Sequence, residues 1–450
     1  MKTNTFKLIT TLFVAALSLG FTSCGGDDED DVSGGGGNTS SSTVFPQDIK
    51  FETYNVKTPG QLPELISPEK KAIISALKVK GSINGTDLRF IREMAGKDVN
   101  GEVVNDAVLN YLDLSEARII EGGQIYYKNY QTQNDVLGDC AFYECNLLKA
   151  VALPKGIKSI GEKAFYDCSG LTSANIPNSV TNIGYHAFFG CTGLTSVYIT
   201  DLAAWCGINF KSYSSNPIQY AHHLFLNGKE ITELEIPSSV TNIGDYAFYG
   251  CSGLTSITIP NSVATIGEYA FYNCSGLTSV TIPSSVTSIG NAAFEYCSGL
   301  TSVNIPNSVT SIGEQAFTYC SGLTSVNIPN SVTSIGNFAF AYCSGLTSAN
   351  IPNSVTNIGQ AAFSGCSGLT SINIPNSVTN IGYYAFRGCL GLKDVIVHWQ
   401  KPISIYASFF YNTPCENLHI PAGTLSAYKN ADEWKYFKNY IEDADYYPVE

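Results

Sequence analysis

Fourteen cysteines open three kinds of chemistry: disulfide formation, metal binding and nucleophilic attack. Ten of them, at 145, 168, 191, 251, 274, 297, 320, 343, 366 and 389, recur every 23 residues, with one interval of 60 between Cys191 and Cys251. A nucleophile is needed once, and a metal site draws unlike ligands to one point, so an evenly repeated thiol is architectural. Stacking such a unit places the thiols in an inward-facing row, where Cys behaves as a small apolar residue with a weak S–H donor. Side chains pointing the same way along a ladder seldom reach a disulfide torsion, so these thiols are expected to be free. Cys140, Cys145, Cys206 and Cys415 are outside the ladder or only partly in it, and their pairing stays open.

The remaining chemistry is sparse. None of His186, His222, His223, His398 and His419 shows the His-x-x-x-His spacing of a metal helix, and the adjacent His222 and His223 would project to opposite sides of a strand. The recurring Cys-Ser-Gly reads as a turn. No Gly-x-Ser-x-Gly elbow or phosphate-cradling Gly-Lys-Ser/Thr loop is present, and acids such as Glu268, Glu295 and Glu314 form no pair of the glycosidase kind. The sequence therefore predicts no enzyme, no cofactor and no bound metal.

Binding chemistry is better represented. Tyr246, Tyr249, Tyr269, Tyr272, Tyr296, Tyr319, Tyr342, Tyr383 and Tyr384 occupy the variable positions around a repeated Ala-Phe. Tyr offers a large rigid ring with a polar tip, which suits protein and sugar contacts as well as simple cover of the coil edges. A second series, Tyr198, Thr258, Thr281, Asn304, Asn327, Asn350 and Asn373, follows the central apolar residue of an expected strand and would form a neutral stripe.

The element that positions all of these is a 23-residue unit, in which Phe248, Phe271, Phe294, Phe317, Phe340, Phe363 and Phe386 keep strict register. A fixed period of this length denotes a solenoid. In the unit from Ile259 the apolar residues are Ile259, Val263, Ile266, Ala270, Phe271, Leu277 and Val280, too few to fold one coil alone, so neighbours must stack. Leu277–Ile282 alternates near its end and is cut by Pro283, which predicts one short strand per coil in a parallel sheet. Gly290 is expected to adopt a positive backbone angle, and Ala293-Phe294 to sit on a helical or turn segment opposite the strand. At ~4.8 Å between strands, about 12 coils give a sheet roughly 55 Å long.

The pattern Leu-x-x-Val-x-Ile-Pro, then Ile-Gly, Ala-Phe and Cys, resembles the BspA-type leucine-rich repeat common in surface proteins of anaerobic bacteria. It spans about residues 105 to 421 and carries ten Ala-Phe sites. The resemblance implies a β-rich solenoid with an N-terminal cap over 45–120, repeats over 121–421 and a C-terminal helical cap over 422–450. Leu77-Lys78-Val79-Lys80-Gly81, Asn84-Gly85-Thr86-Asp87 and Leu112-Asp113-Leu114 resemble the first cap, and Pro421-Ala422-Gly423-Thr424 leading to Trp434 the second. Residues 192–236 form an enlarged coil, with a helix at Asp201–Cys206 and a hairpin turning at Asn227-Gly228.

Residues 1–23 read as a signal peptide: Lys2 and Lys7 precede an apolar run from Leu8 to Leu19, too short for a membrane span. Phe21-Thr22-Ser23-Cys24 resembles a lipobox, with Phe in place of the more usual Leu, and makes Cys24 the lipidation site. The acidic, Gly- and Ser-rich stretch 24–44 reads as a tether. Its acidic start resembles the export signal of Bacteroidota lipoproteins, which implies a lipid-anchored outer-membrane protein facing the cell exterior. A formal charge of −13 opposes nucleic acids and anionic headgroups. The expected function is binding or adhesion, with host matrix proteins or bacterial cell-surface proteins as partners. Glycan capture for nutrition and a passive coat are the alternatives.

Overall fold

The computed structural model describes residues 44–405, 408–414, 416–432 and 434–444. The signal segment, Cys24, the tether up to residue 43 and Cys415 lie outside the described residues. From Val44 onward the chain winds as a β-solenoid, and each coil buries its apolar positions against the next.

A regular coil is built from two strands and two turns. The strand read from the alternating stretch is Ser279–Thr281, which pairs in parallel with Ser302–Asn304 of the next coil: Ser279 faces Ser302, Val280 faces Val303 and Thr281 faces Asn304. A further two-residue strand, Ser288–Ile289, pairs with Ser311–Ile312 and builds a second ladder. Ala293-Phe294 lies on a turn. The 23-residue period places the same residue types at the same height in every coil, so a parallel register satisfies backbone groups and side chains together.

The core is a stack of identical residues. Phe142, Phe165 and Phe188 form one column and Phe248 to Phe386 another, all buried, with successive centroids 5.1 to 5.5 Å apart. Beside them the expected thiol row is present. The Cys320 sulfhydryl donates to the Phe294 carbonyl of the preceding coil at 3.1 Å, and Cys343 to Phe317 at 3.1 Å. All twelve described cysteines, Cys140, Cys145 and Cys206 included, are free and buried. Burial pushes the Cys297 thiol up to about 12, which leaves it inert.

Gly290 differs from its expectation. Its backbone angle is not positive; the left-handed residue is Ala292, two positions later, at φ 50°. Glycine is required here by close approach, because a Cβ on Gly290 would fall 2.6 Å from the carbonyl carbon and oxygen of Gly267 in the coil before. The Ile-Gly step is where adjacent coils touch backbone to backbone.

The ladders divide at the enlarged coil. An eight-stranded sheet ends within it and a ten-stranded sheet begins at its far end, with a four-stranded and a seven-stranded second ladder alongside. The helix is Leu202–Cys206, capped by Asp201, and the hairpin joins Leu224–Leu226 to Lys229–Glu230 through Asn227 and Gly228, both at positive φ. Turning antiparallel, the hairpin occupies the edge that the next parallel strand would use. Side chains replace the missing ladder: Trp205 Nε1 donates to Ala247 O at 2.8 Å, and Asn216 Nδ2 to Tyr246 O at 2.7 Å. In regular coils the matching alanine carbonyl receives the phenylalanine N–H of the previous coil, as Ala293 O does from Phe271. One hydrophobic core runs through the break.

At the N-terminal end, strands Glu52–Val56 and Ala76–Ile83 continue the parallel ladder. Fully buried Asp87 accepts from Gly60 N, Leu62 N and Asn84 N at 2.6, 2.8 and 2.9 Å, tying the Asn84-Gly85-Thr86-Asp87 helix start to the preceding chain. At the other end Asn417–His419 and Asn439–Ile441 extend the ladder, and buried Trp434 donates to Ile403 O at 2.9 Å.

A tyrosine column along the coils

Two residues follow each core Phe, and in five successive coils one of them is Tyr: Tyr249-Gly250, Tyr272-Asn273, Glu295-Tyr296, Thr318-Tyr319 and Ala341-Tyr342. Tyr249 stacks on Tyr272 with centroids 4.5 Å apart and planes 5° off parallel. Tyr296 stacks on Tyr319 at 4.6 Å, and Tyr319 on Tyr342 at 4.6 Å. Where the ring moves from the first site to the second, Tyr272 meets Tyr296 edge to face, at 5.3 Å and 66°. The column is continuous across this change of lane.

Tyr246 and Tyr269 run beside it, stacked at 5.3 Å and tilted against Tyr249 and Tyr272. The structure thus brings together all seven tyrosines from Tyr246 to Tyr342 named as a candidate surface. Sequence reasoning missed Tyr213 of the enlarged coil, which extends the column by stacking on Tyr249 at 5.8 Å. It also missed Tyr143 and Tyr166, stacked at 5.1 Å in the earlier coils. These two occupy the same site after Phe, so their position was the available signal; for Tyr213 there was none.

The second lane has an unusual backbone. Tyr296, Tyr319 and Tyr342 are left-handed, at φ 61°, 59° and 59°, where the equivalent positions carry Gly250, Asn273, Gly365 and Gly388 in the neighbouring coils and Glu144, Asp167 and Gly190 in the earlier ones, all left-handed too. A non-glycine residue there costs about 1 kcal/mol. The three rings remain 38%, 37% and 43% exposed, so burial offsets only part of that cost.

Asn304, Asn327, Asn350 and Asn373 form a separate column on the strand, paired coil to coil in register. Asn304 and Asn327 are exposed; Asn373 Oδ1 lies 2.7 Å from His398 Nε2. Thr258 and Thr281 continue the stripe, but Tyr198 belongs to the earlier sheet and faces Phe225, so the stripe ends at the enlarged coil.

The histidines serve as local partners. His222 is not on a strand: it ends the short helix Ile218–Ala221 in the left-handed conformation, with Nδ1 3.0 Å from Gly250 O. His223 Nδ1 is 2.6 Å from Glu230 Oε1, and His419 lies between Asp394 and Asp443. No group of three His, Cys, Asp or Glu among the described residues could hold a metal. A groove of about 550 Å³ follows the break, between Cys206–Phe210 and Ser239–Asp245, and Asp245 is its single charged lining residue.

The repeated sequence has a counterpart in known proteins. The BspA type leucine rich repeat region matches residues 124–216, 218–345 and 310–433. The chain belongs to the BspA-type leucine-rich repeat family. A leucine rich cell surface protein from Faecalibacterium prausnitzii is 28% identical, over 68% of this BspA-type chain and 88% of its own, with a TM-score of 0.44. A leucine-rich repeat protein from Bacteroides ovatus is 26% identical over 70% and 89%, also at 0.44. No curated protein matches the sequence. Leucine-rich repeat solenoids of the BspA type are typically binding scaffolds rather than enzymes, and no helix among the described residues is long and apolar enough to cross a membrane.

Proposed function

We propose that this BspA-type protein is a cell-surface adhesion module that binds protein through its tyrosine column. The observation that carries the reading is the placement of Tyr296, Tyr319 and Tyr342 on left-handed backbone, exposed and stacked, where neighbouring coils use Gly or Asn. Local strain accepted for exposed aromatic surface fits a contact role better than a packing role. On this reading Cys24 carries a lipid, residues 24–44 form a tether, and the solenoid stands outside the outer membrane, where host matrix proteins and other bacterial cells are its partners. Glycan capture is the second reading, favoured by the exposed Asn304 and Asn327 in register.

The test is binding of the purified chain to immobilised matrix proteins, bacterial surfaces and polysaccharides, beside a Tyr296→Gly/Tyr319→Gly/Tyr342→Gly variant. Saturable protein binding lost in the variant supports adhesion. Polysaccharide binding alone supports the second reading, and silence across the panel favours a passive coat.

A further inference from the structure

From Glu230 to Phe386 the chain contains no Lys, Arg or His, and seven carboxylates: Glu230, Glu233, Glu235, Asp245, Glu268, Glu295 and Glu314. Six of them are exposed or half-exposed. Glu295 is 6% exposed, although it follows Phe294 directly at a site that borders the tyrosine column.

Its neighbours in the same position of later coils show how a buried residue there is ordinarily accommodated. Thr318 Oγ1 donates to Phe338 O, Ser364 Oγ donates to Arg387 O at 3.3 Å, and Ala341 has no polar side-chain atom. Among the described residues the Glu295 carboxylate has neither an ion pair nor a side-chain hydrogen bond. Withdrawing a carboxylate from most of its water without a partner is costly, and the coils of the 230–386 run have no cation to supply one. Burial alone pushes its pKa up to about 7.

Glu295 also sits at the change of lane. Tyr272, in the preceding coil, is raised to about 12 by burial first and by the Glu295 charge next; Tyr269 is raised by the same two causes in the same order. From the following coil, Tyr319 and Cys320 also feel its charge. Tyr296 is its chain neighbour, and its ring leaves the Tyr272 ring edge-on here rather than stacked. An unpaired carboxylate therefore lies within electrostatic reach of Tyr269, Tyr272 and Tyr319 and next to Tyr296 in the chain, in a run of coils that holds only negative charge.

We propose that this point receives an arginine side chain of a protein partner, the guanidinium lying against the Tyr296 and Tyr319 rings and donating to the Glu295 carboxylate. Arginine meets both demands, since its planar cation stacks on aromatic faces and donates in a fork to a carboxylate, which the compact lysine ammonium does less well. The inference rests on the proposed protein-binding role of the column and names the chemistry of its partner.

The test is calorimetric titration of the full chain at pH 8 with an acetylated heptapeptide carrying three arginines, and with its lysine and citrulline analogues. The expected result is saturable binding of the arginine peptide, at least tenfold weaker binding of both analogues, and at least tenfold weaker arginine-peptide binding to Glu295→Gln. Glu235→Gln, which removes the same unit of charge from an exposed strand position, is expected to stay within twofold of wild type. Equal binding by wild type and Glu295→Gln, an equal loss in Glu235→Gln, or equal binding of the lysine or citrulline analogue would overturn the proposal. A protein ligand lost on removing the three tyrosines but kept by Glu295→Gln would overturn this inference and leave the adhesion reading standing. Peptide binding abolished by Glu295→Gln, with no protein bound across the panel, would uphold the arginine site and remove the adhesion reading.

Discussion

The ring of Tyr296 stacks on that of Tyr319 with centroids 4.6 Å apart and planes 8° off parallel, and both residues sit on left-handed backbone. A favourable ring contact is thus coupled to an unfavourable backbone, and the two oppose each other. Tyr319→Gly loses two stacking contacts of about 0.5–1.5 kcal/mol each and recovers about 1 kcal/mol of backbone cost. Urea unfolding is expected to show a net loss of about 0–2 kcal/mol, with about 1 kcal/mol at the centre. Tyr249→Gly is the contrast: its backbone is not left-handed and its ring is half-buried, so a loss of about 2 kcal/mol or more is expected. Equal losses in the two variants would refute the backbone argument.

Gly290→Ala is expected to destabilise by about 2 kcal/mol, because its new Cβ meets the Gly267 backbone at 2.6 Å and backbone cannot rotate away. Gly156→Ala, with nothing within 4 Å and an ordinary backbone angle, is expected to be neutral or to stabilise by about 0.5 kcal/mol. Thermal unfolding of the two variants side by side checks the claim that close approach, rather than conformation, requires the Ile-Gly glycine.

The pKa of Glu295 is raised from 4.5 to about 7 by burial, so the folded chain holds a proton that the unfolded chain releases. The stabilising contribution is therefore fully present below about pH 4.5 and is lost as pH rises through about 7. A rise of that size is worth about 3 kcal/mol, which the solvent still reaching the group reduces to on the order of 2 kcal/mol. Denaturant unfolding of wild type and Glu295→Gln across this window is expected to diverge, the variant gaining relative stability toward pH 8. Parallel curves would show that the carboxyl is solvated or paired in solution.

The twelve described thiols, all buried, are expected to be silent in the native protein. In a Cys24→Ser/Cys415→Ser variant, a chromogenic disulfide reagent is expected to leave them unmodified in the folded chain and to titrate all twelve after unfolding without reductant. A count well below twelve would mean that disulfides had formed in the row.

Much of the fold was legible because a repeated sequence has few ways to stack. The 23-residue register of Phe and Cys, the strand cut at Pro283, the helix at Leu202–Cys206 and the Asn227-Gly228 hairpin each follow from local chemistry, and each is present. The tyrosines could be picked out for the same reason: a variable site in a fixed frame recurs at a fixed place on the surface.

What the frame could not supply were relations between coils or between the enlarged coil and its neighbours. Gly290 reads as a turn glycine, and only the neighbouring backbone reveals that it is a contact glycine. Tyr213 gives no periodic signal and joins the column because the enlarged coil folds back beside Tyr249. Glu295 looks like one more scattered acid among Glu268 and Glu314. Its burial is decided by coils on either side, and its isolation by a run of sequence without a single cation. Periodicity fixes which residues recur at one height, whereas burial, left-handed backbone and unpaired charge depend on atoms that the chain brings together only by winding back upon itself.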